Sequence, residues 1–230
     1  MELREFISIR RAYNLVRQNS DPADRLTFEC FAILCHLFML DAPIKTSEVA
    51  DYQKALRPTI THRMNLLAKH GFIDRQEGAD DRRNIVCFVT EDGKDRARLL
   101  AKRTAESIAN GQALARTSPD RIIRYADAMG SVPVSAGDML MLVLLSSREY
   151  TSSVSGIVDK LGLLQPTVSM SISSLVDEDL IERQKNSGLA GRSTSLRLTA
   201  DGVVYAEKIA DSIAETIVRR KPRKKQDPLA

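Results

Sequence analysis

The sequence contains no tryptophan, and aromatic residues make up only 5% of its 230 residues. This scarcity disfavours a substrate pocket lined by aromatic rings. Cysteine is also rare, and the three present (Cys30, Cys35 and Cys87) form no Cys-x-x-Cys pair. Since three thiols cannot all pair within one chain, and two of them lie in an apolar helical stretch, we predict buried free thiols in a reducing cytosol.

Catalytic and cofactor motifs are missing as well. The chain has no Walker A loop, nucleophile elbow, His-Glu-x-x-His motif or dinucleotide fingerprint. A lone Gly-x-x-Gly, Gly188–Gly191, lies in a predicted turn, where glycine serves backbone flexibility. The three histidines have no ligand spacing with a cysteine or carboxylate. We therefore predict that the protein is not an enzyme and holds no metal or cofactor.

Long hydrophobic runs are lacking too. The most apolar stretch, Leu26–Leu40, is interrupted by Glu29 and His36, and it is shorter than the roughly 20 residues that a membrane-spanning helix needs. The first residues mix charged with apolar side chains and contain no apolar core of a signal peptide. The expectation is a cytoplasmic protein without a membrane partner, in which Leu26–Leu40 forms a buried helix.

Charge is distributed unevenly along the chain. The formal net charge is +4, but residues 1–117 carry +3, residues 118–218 carry −4 and residues 219–230 carry +5. This balance permits a nucleic-acid partner without requiring one. The last segment is too charged to pack, and two interpretations stay open for it: a solvated end or a supplementary contact to phosphate.

The chain contains an internal repeat. A shift of 108 residues superimposes the two halves over more than fifty residues, and a shift of 109 continues the match after one inserted residue. Pro58-Thr59 falls on Pro166-Thr167, and Asp92-Gly93 falls on Asp201-Gly202. We interpret the chain as a duplication with a first domain at 1–117, a second at 118–218 and a basic tail at 219–230.

Each half is predicted to contain helix, helix, helix, strand, turn, strand and helix, the winged-helix order. The expected fold is mainly α with small β-wings: two tandem winged helix-turn-helix domains related by a pseudo-twofold axis. The long helix Asp92–Arg116, a break at Ser118-Pro119 and a short helix to Met129 are predicted to join them. Four residues are predicted to cap helices: Thr27, Thr90, Ser135 and Thr199. The remaining predicted elements are helices over Glu2–Gln18, Ser47–Gln53 and Pro58–Lys69, and strands at Phe72-Ile73, Ile85–Val89, Leu180-Ile181 and Ser195–Leu198.

The second helix of each helix-turn-helix is the expected DNA reader, because an α-helix fits the major groove. At helical spacing its apolar residues fall on one side, and its polar residues fall opposite. Any surface helix shows a polar face, but here a basic hairpin, Asp80–Asn84, follows, and its arginines can enter the minor groove. The candidate DNA-binding residues are Arg57, Thr59, Thr61, His62, Arg63, Asn65, Asp81, Arg82, Arg83, Gln165, Thr167, Ser169 and Arg192.

Three motifs carry a resemblance to a known family: Pro58–Thr61, Lys69–Ile73, and Asp81-Arg82-Arg83 followed by Val89-Thr90. Through these motifs the sequence resembles the MarR family of bacterial transcription regulators. The resemblance covers Leu26–Leu100 and, more weakly, Val134–Ala210. The resemblance implies double-stranded DNA as the partner, a recognition helix over Arg57–Lys69 and a wing that contacts DNA through Asp81 and Arg83. It also implies a small-molecule effector, bound between the dimerising helices and the DNA-binding domain, which no residue identifies.

The chain departs from that family in two respects. Family members are usually one such domain that dimerises, whereas this chain carries two, and in this it resembles the tandem members of the Sar group. We therefore expect a monomer that acts as a pseudo-dimer. The second half also lacks the wing aspartate, since Ala190 stands in the place of Asp81, although Arg192 matches Arg83.

One rival function stays open beside DNA binding. Winged helices also serve as protein-interaction adaptors. The acidic second half, which has Asp177 where the first half has Lys69, would suit binding to a protein partner. DNA regulation is preferred because the first half combines a basic hairpin with a polar helix face.

Overall fold

The computed structural model describes residues 1–22, 25–77, 85–186 and 193–219. It is mainly helical with two small antiparallel sheets. The first half contains α1 (Leu3–Gln18), α2 (Phe28–Leu40), β1 (Ile44–Lys45), α3 (Thr46–Gln53), α4 (Arg57–Lys69), β2 (Ile73–Glu77), β3 (Ile85–Val89) and α5 (Glu91–Glu106). The second half contains α6 (Pro119–Met129), α7 (Ala136–Leu145), β4 (Thr151–Ser153), α8 (Val154–Leu161), α9 (Gln165–Asp177), β5 (Ile181–Asn186), β6 (Ser193–Leu198) and α10 (Ala200–Ala214).

The same order of elements thus occurs twice. The strand orders are β1-β3-β2 and β4-β6-β5, and every pair is antiparallel. The predicted class, mainly α with small sheets, is confirmed. Strands β1 and β4 were not predicted, because two or three residues are too few to show the alternating pattern of a strand.

Four helices begin with the side-chain N-caps that the sequence predicted. Thr27 Oγ1 accepts a hydrogen bond from the Cys30 amide at 3.2 Å, and Ser135 Oγ accepts one from the Asp138 amide at 3.1 Å. Thr90 and Thr199 accept from Gly93 and Gly202 in the same way, each at 3.0 Å. All four predicted caps are confirmed, since each oxygen satisfies a backbone N–H that lacks a partner within its helix.

The long connecting helix is shorter than predicted. The sequence predicted a helix over Asp92–Arg116, but α5 ends at Glu106 and residues 107–117 are irregular. Gly111 and Leu114 have φ values of 86° and 66°, which no α-helix contains. The segment turns back onto α1, where the Ser8 hydroxyl donates to the Ala113 carbonyl at 2.8 Å. The prediction of a joining helix is therefore wrong beyond Glu106.

One hydrophobic core runs through both halves. Its centre is α2 and α7, in which residues 30–35 and 139–144 are no more than 1% exposed. Helix α1 packs against α7, α8 and α10 of the second half, and α6 packs against α2 and α5 of the first. The Met1 ammonium donates to the carbonyls of Ala214 and Thr216. The boundary at residue 117 therefore separates the repeats in sequence, whereas the packing crosses it.

The three cysteines are buried and free, as predicted. In the part of the chain that the structure describes, no helix is both long enough and apolar enough to cross a membrane.

Candidate nucleic-acid interface

Helix α4 has the two faces that the sequence predicted. Ile60, Met64 and Leu67 are each 0% exposed and anchor the helix in the core. The opposite face is polar and solvent-exposed, so it is available to a partner. Its exposed residues are Arg57, Thr59, Thr61, His62, Asn65 and Lys69.

Arg63, another predicted DNA contact, is directed into the protein. It is half-buried, and its guanidinium donates to Gln53 Oε1 at 2.7 Å. The amide nitrogen of Gln53, which is 3% exposed, donates in turn to the Glu29 carbonyl at 2.9 Å. This chain of hydrogen bonds joins α4 to α3 and α2. A role for Arg63 in DNA binding stays a prediction.

A cationic groove of about 280 Å³ lies beside the first turn of α4. Three of its lining residues are cations (Lys45, Arg57 and Arg75), and three carry hydroxyl groups. Among the side chains that the structure describes, no carboxylate lines it. Charge-assisted hydrogen bonds from such a set suit the phosphate oxygens of a nucleic acid. The remaining lining residues are Thr46, Ser47, Thr61 and Ile85.

Arg75 was missed as a candidate site residue. It lies on β2, lines the groove and donates to Oδ1 of Asn65, so two groups on neighbouring elements hold each other in place. The amide nitrogen of Asn65 can then donate to a partner. The signal that could have found Arg75 is its recurrence in the repeat, where Arg75-Gln76 matches Arg183-Gln184.

The second half repeats this geometry with much less charge. Val168, Ile172 and Leu175 of α9 are buried, and the opposite face is exposed. A groove of about 380 Å³ takes the equivalent place beside α9, and among its described lining residues Arg183 is the one cation. Its other lining residues are Val154, Ser169, Ile172, Ser173, Thr194 and Leu196. The three predicted contacts on α9 are all exposed: Gln165, Thr167 and Ser169.

The predicted wing contacts lie outside the described residues. These are Asp81, Arg82, Arg83 and Arg192. The structure describes the strands on either side of each wing tip. In the first half they extend to the pair of Glu77 with Ile85, and in the second half to the pair of Asn186 with Ser193. Contacts from the wing tips therefore stay predictions.

A second polar cluster links the helix-turn-helix of the first half to α6. His36 Nδ1 lies 2.8 Å from Asp127 Oδ1, and the His36 ring stacks on Tyr52 with centroids 3.8 Å apart. The Tyr52 hydroxyl donates to the Asp127 carbonyl at 2.6 Å. Burial, and then the nearby Asp127 carboxylate, raise the pKa of Tyr52 well above its ordinary value, so the phenol stays a neutral donor. The cluster borders a cavity of about 410 Å³ that Lys54 and Arg219 also line.

Comparisons with known proteins add little to this geometry. No protein-family model matches the chain, and no curated protein matches its sequence. Among solved structures, the chain is similar to a crystal structure of a mutant MarR from E. coli complexed with operator DNA. The identity is 14% and the TM-score 0.32, over 48% of this chain and 79% of that one. A superposition this poor carries no conclusion about fold or activity.

Proposed function

We propose that the protein is a sequence-specific, double-stranded DNA-binding transcription regulator with two tandem winged-helix domains. Helix α4 enters the major groove, and the first wing reaches the minor groove through Arg83, held by Asp81, with Arg82 beside it. Helix α9 and Arg192 supply a second, weaker set of contacts. The two domains together take the place of a dimer on one operator.

The cationic groove beside α4 is the observation that supports this proposal most. It places Lys45, Arg57 and Arg75 together with three hydroxyl groups. Because phosphate contacts provide most of the affinity for DNA, Lys45 and Arg75 would hold the backbone, while Arg57, at the first position of α4, would reach a base edge. The exposed side chains of His62 and Asn65 then lie on the adjoining helix face, where base edges are read.

The test begins with selection of bound sequences from a random double-stranded DNA pool. Binding to the selected site and to scrambled DNA is then measured at one salt concentration for wild type and two double variants. Arg57→Ala with His62→Ala should remove discrimination between the two DNAs, since each good bidentate base contact is worth roughly 1–3 kcal/mol. Gln165→Ala with Ser169→Ala should cost much less, because α9 contributes fewer charged contacts.

A matched charge control uses exposed cations away from α4. Lys102→Ala with Lys208→Ala removes two exposed positive charges from α5 and α10 and should leave discrimination intact. Failure to select any sequence, or equal loss of discrimination in the control, would contradict the proposal. The alternative function, a protein-interaction adaptor, would then be favoured, since Asp177 and Glu178 form an exposed acidic end of α9.

An effector, if the MarR resemblance extends to one, would bind next to the His36–Tyr52–Asp127 cluster. That cavity adjoins α3 of the helix-turn-helix and α6, which packs across the repeats. A ligand there would contact both elements at once.

A further inference from the structure

The exposed face of α9 carries a solvent-facing methionine. Met170 is 75% exposed, one of the highest values among the large apolar side chains that the structure describes. It occupies the position of His62 in the repeat. Pro166, one helical turn before it, is also exposed, so the two form a short apolar strip on the helix face that corresponds to the reading face of α4, with the exposed Thr167 beside them.

The hydrogen-bonding groups that α9 itself presents around this strip are neutral, and the cation beside them, Arg183, lies on β5 in the adjoining groove. Helix α9 contains neither lysine nor arginine, and its acidic residue, Asp177, lies at the last position. The exposed polar side chains near Met170 are Gln165, Ser169 and Ser173. Lysine and arginine are the residues that pair best with guanine, whereas glutamine pairs with adenine. The composition of this face therefore disfavours G·C pairs.

The major groove offers one apolar group to a side chain such as Met170. This is the C5-methyl of thymine, which only A·T pairs carry. Burial of Met170 against it would remove apolar surface of both partners from water. A glutamine at the start of the same helix could then pair with adenine in the same stretch of DNA.

We propose that α9 reads an A·T-rich half-site and that Met170 is the specificity-determining residue that packs against a thymine methyl group. This inference rests on the proposed function, because it requires that α9 lies in the major groove. It assigns different base compositions to the two half-sites. Helix α4, with Arg57 and Lys69 exposed, suits a site that includes guanine, whereas α9 suits adenine and thymine.

The experiment removes the methyl group alone. Each thymine in the half of the selected site next to α9 is replaced in turn by deoxyuridine, which lacks only the C5-methyl, and the Kd is measured for wild type and Met170→Ala. For one thymine, wild type should lose about threefold to fivefold in affinity, the equivalent of burying roughly one methyl group. Met170→Ala should bind thymine and deoxyuridine DNA equally.

Two controls accompany this cycle. Met170→Leu keeps an apolar side chain and should keep sensitivity to the same thymine. Lys102→Ala changes an exposed residue of α5, which belongs to neither proposed reading helix, and should leave that sensitivity unchanged. Because Met170 packs against little of the protein, its variants should unfold at the wild-type temperature, which circular dichroism checks.

The outcomes separate the inference from the function on which it rests. If no sequence can be selected, DNA regulation itself fails. If a site is selected but its second half consists of G·C pairs, the inference is overturned. Equal losses for wild type and Met170→Ala on deoxyuridine DNA, or no loss for either, would likewise overturn it and leave DNA binding intact.

Discussion

The phenol of Tyr52 joins two helices that belong to different repeats, since it lies on α3 and donates to a carbonyl of α6. This contact is close enough to require glycine at position 130. A Cβ there would lie 1.9 Å from the Tyr52 hydroxyl oxygen and 2.9 Å from Cβ of Ala32. The backbone at Gly130 is right-handed helical, so the requirement comes from space and not from conformation.

Gly130→Ala should therefore destabilise the protein by about 1–3 kcal/mol, the usual cost of overpacking. The midpoint of urea unfolding measures this. Gly137→Ala is the matched control, because the nearest atom to a Cβ there is 3.7 Å away. That variant should gain about 0.4–1 kcal/mol, since alanine restricts the unfolded chain. A urea midpoint for Gly130→Ala at or above that of wild type would contradict this prediction. It would show that the Tyr52 side chain can move away from the added methyl group without loss of stability.

The cysteines should be unreactive in the folded protein. Burial raises the pKa of the Cys30 thiol, and burial together with Asp127 raises that of Cys35. Cys87 is 0% exposed. Because the thiolate is the nucleophile, and a raised pKa lowers its population at any given pH, the disulfide reagent DTNB should modify no thiol at pH 8 until denaturant is added. Three thiols should then react; rapid labelling without denaturant would reveal local opening of α2.

Among the secondary-structure elements, the first turns of α5 and α10 show the repeat most clearly. Each is capped by a threonine that also closes the preceding turn: Thr90 Oγ1 donates to the Gly71 carbonyl at 2.7 Å, and Thr199 Oγ1 donates to the Asp179 carbonyl at 2.8 Å. One hydroxyl thus connects the turn that follows α4 to the start of α5, and another connects the turn that follows α9 to the start of α10. The same hydrogen-bond arrangement occurs in both halves.

Loss of either hydroxyl should destabilise the protein by a similar amount. Thr90→Ala and Thr199→Ala are each expected to cost about 1 kcal/mol, the typical worth of a helix cap. Thr90→Ser and Thr199→Ser keep the oxygen and should recover most of it. Thermal unfolding of the four variants measures this. A large effect at one position and none at the other would mean that the two caps are not equivalent.

For the whole molecule, the exchange of α1 and α6 across the repeats ties both halves into one core. The chain should therefore unfold in a single cooperative transition, although its sequence is a duplication. Calorimetry tests this, because the calorimetric and van't Hoff enthalpies agree for a two-state transition. Two resolved transitions would show that each half is stable by itself.

The same packing leads us to expect a monomer in solution. The first helix of each half, α1 or α6, packs against the other half. The surface through which two separate one-domain chains would dimerise is therefore buried within this single chain. Sedimentation at micromolar concentration should give a mass near 25.6 kDa. A stable species of twice that mass on one operator would contradict the pseudo-dimer.

Much of the local structure was predictable from the sequence. The order of elements, the four caps and the buried face of α4 depend on the spacing of side chains and on hydrogen bonds between residues three or four positions apart. The burial of the thiols followed from the apolar helix around two of them. These properties need no knowledge of which distant segments meet.

The remaining features were decided by contacts between segments far apart in the chain. Arg63 turns inward because Gln53 lies within reach, and Arg75 lines the cationic groove because β2 passes beside α4. Helix α5 ends at Glu106 because the following segment turns back onto α1. Periodicity shows which face of a helix is buried, but not which partner buries it, since that partner is chosen by the packing of the whole core.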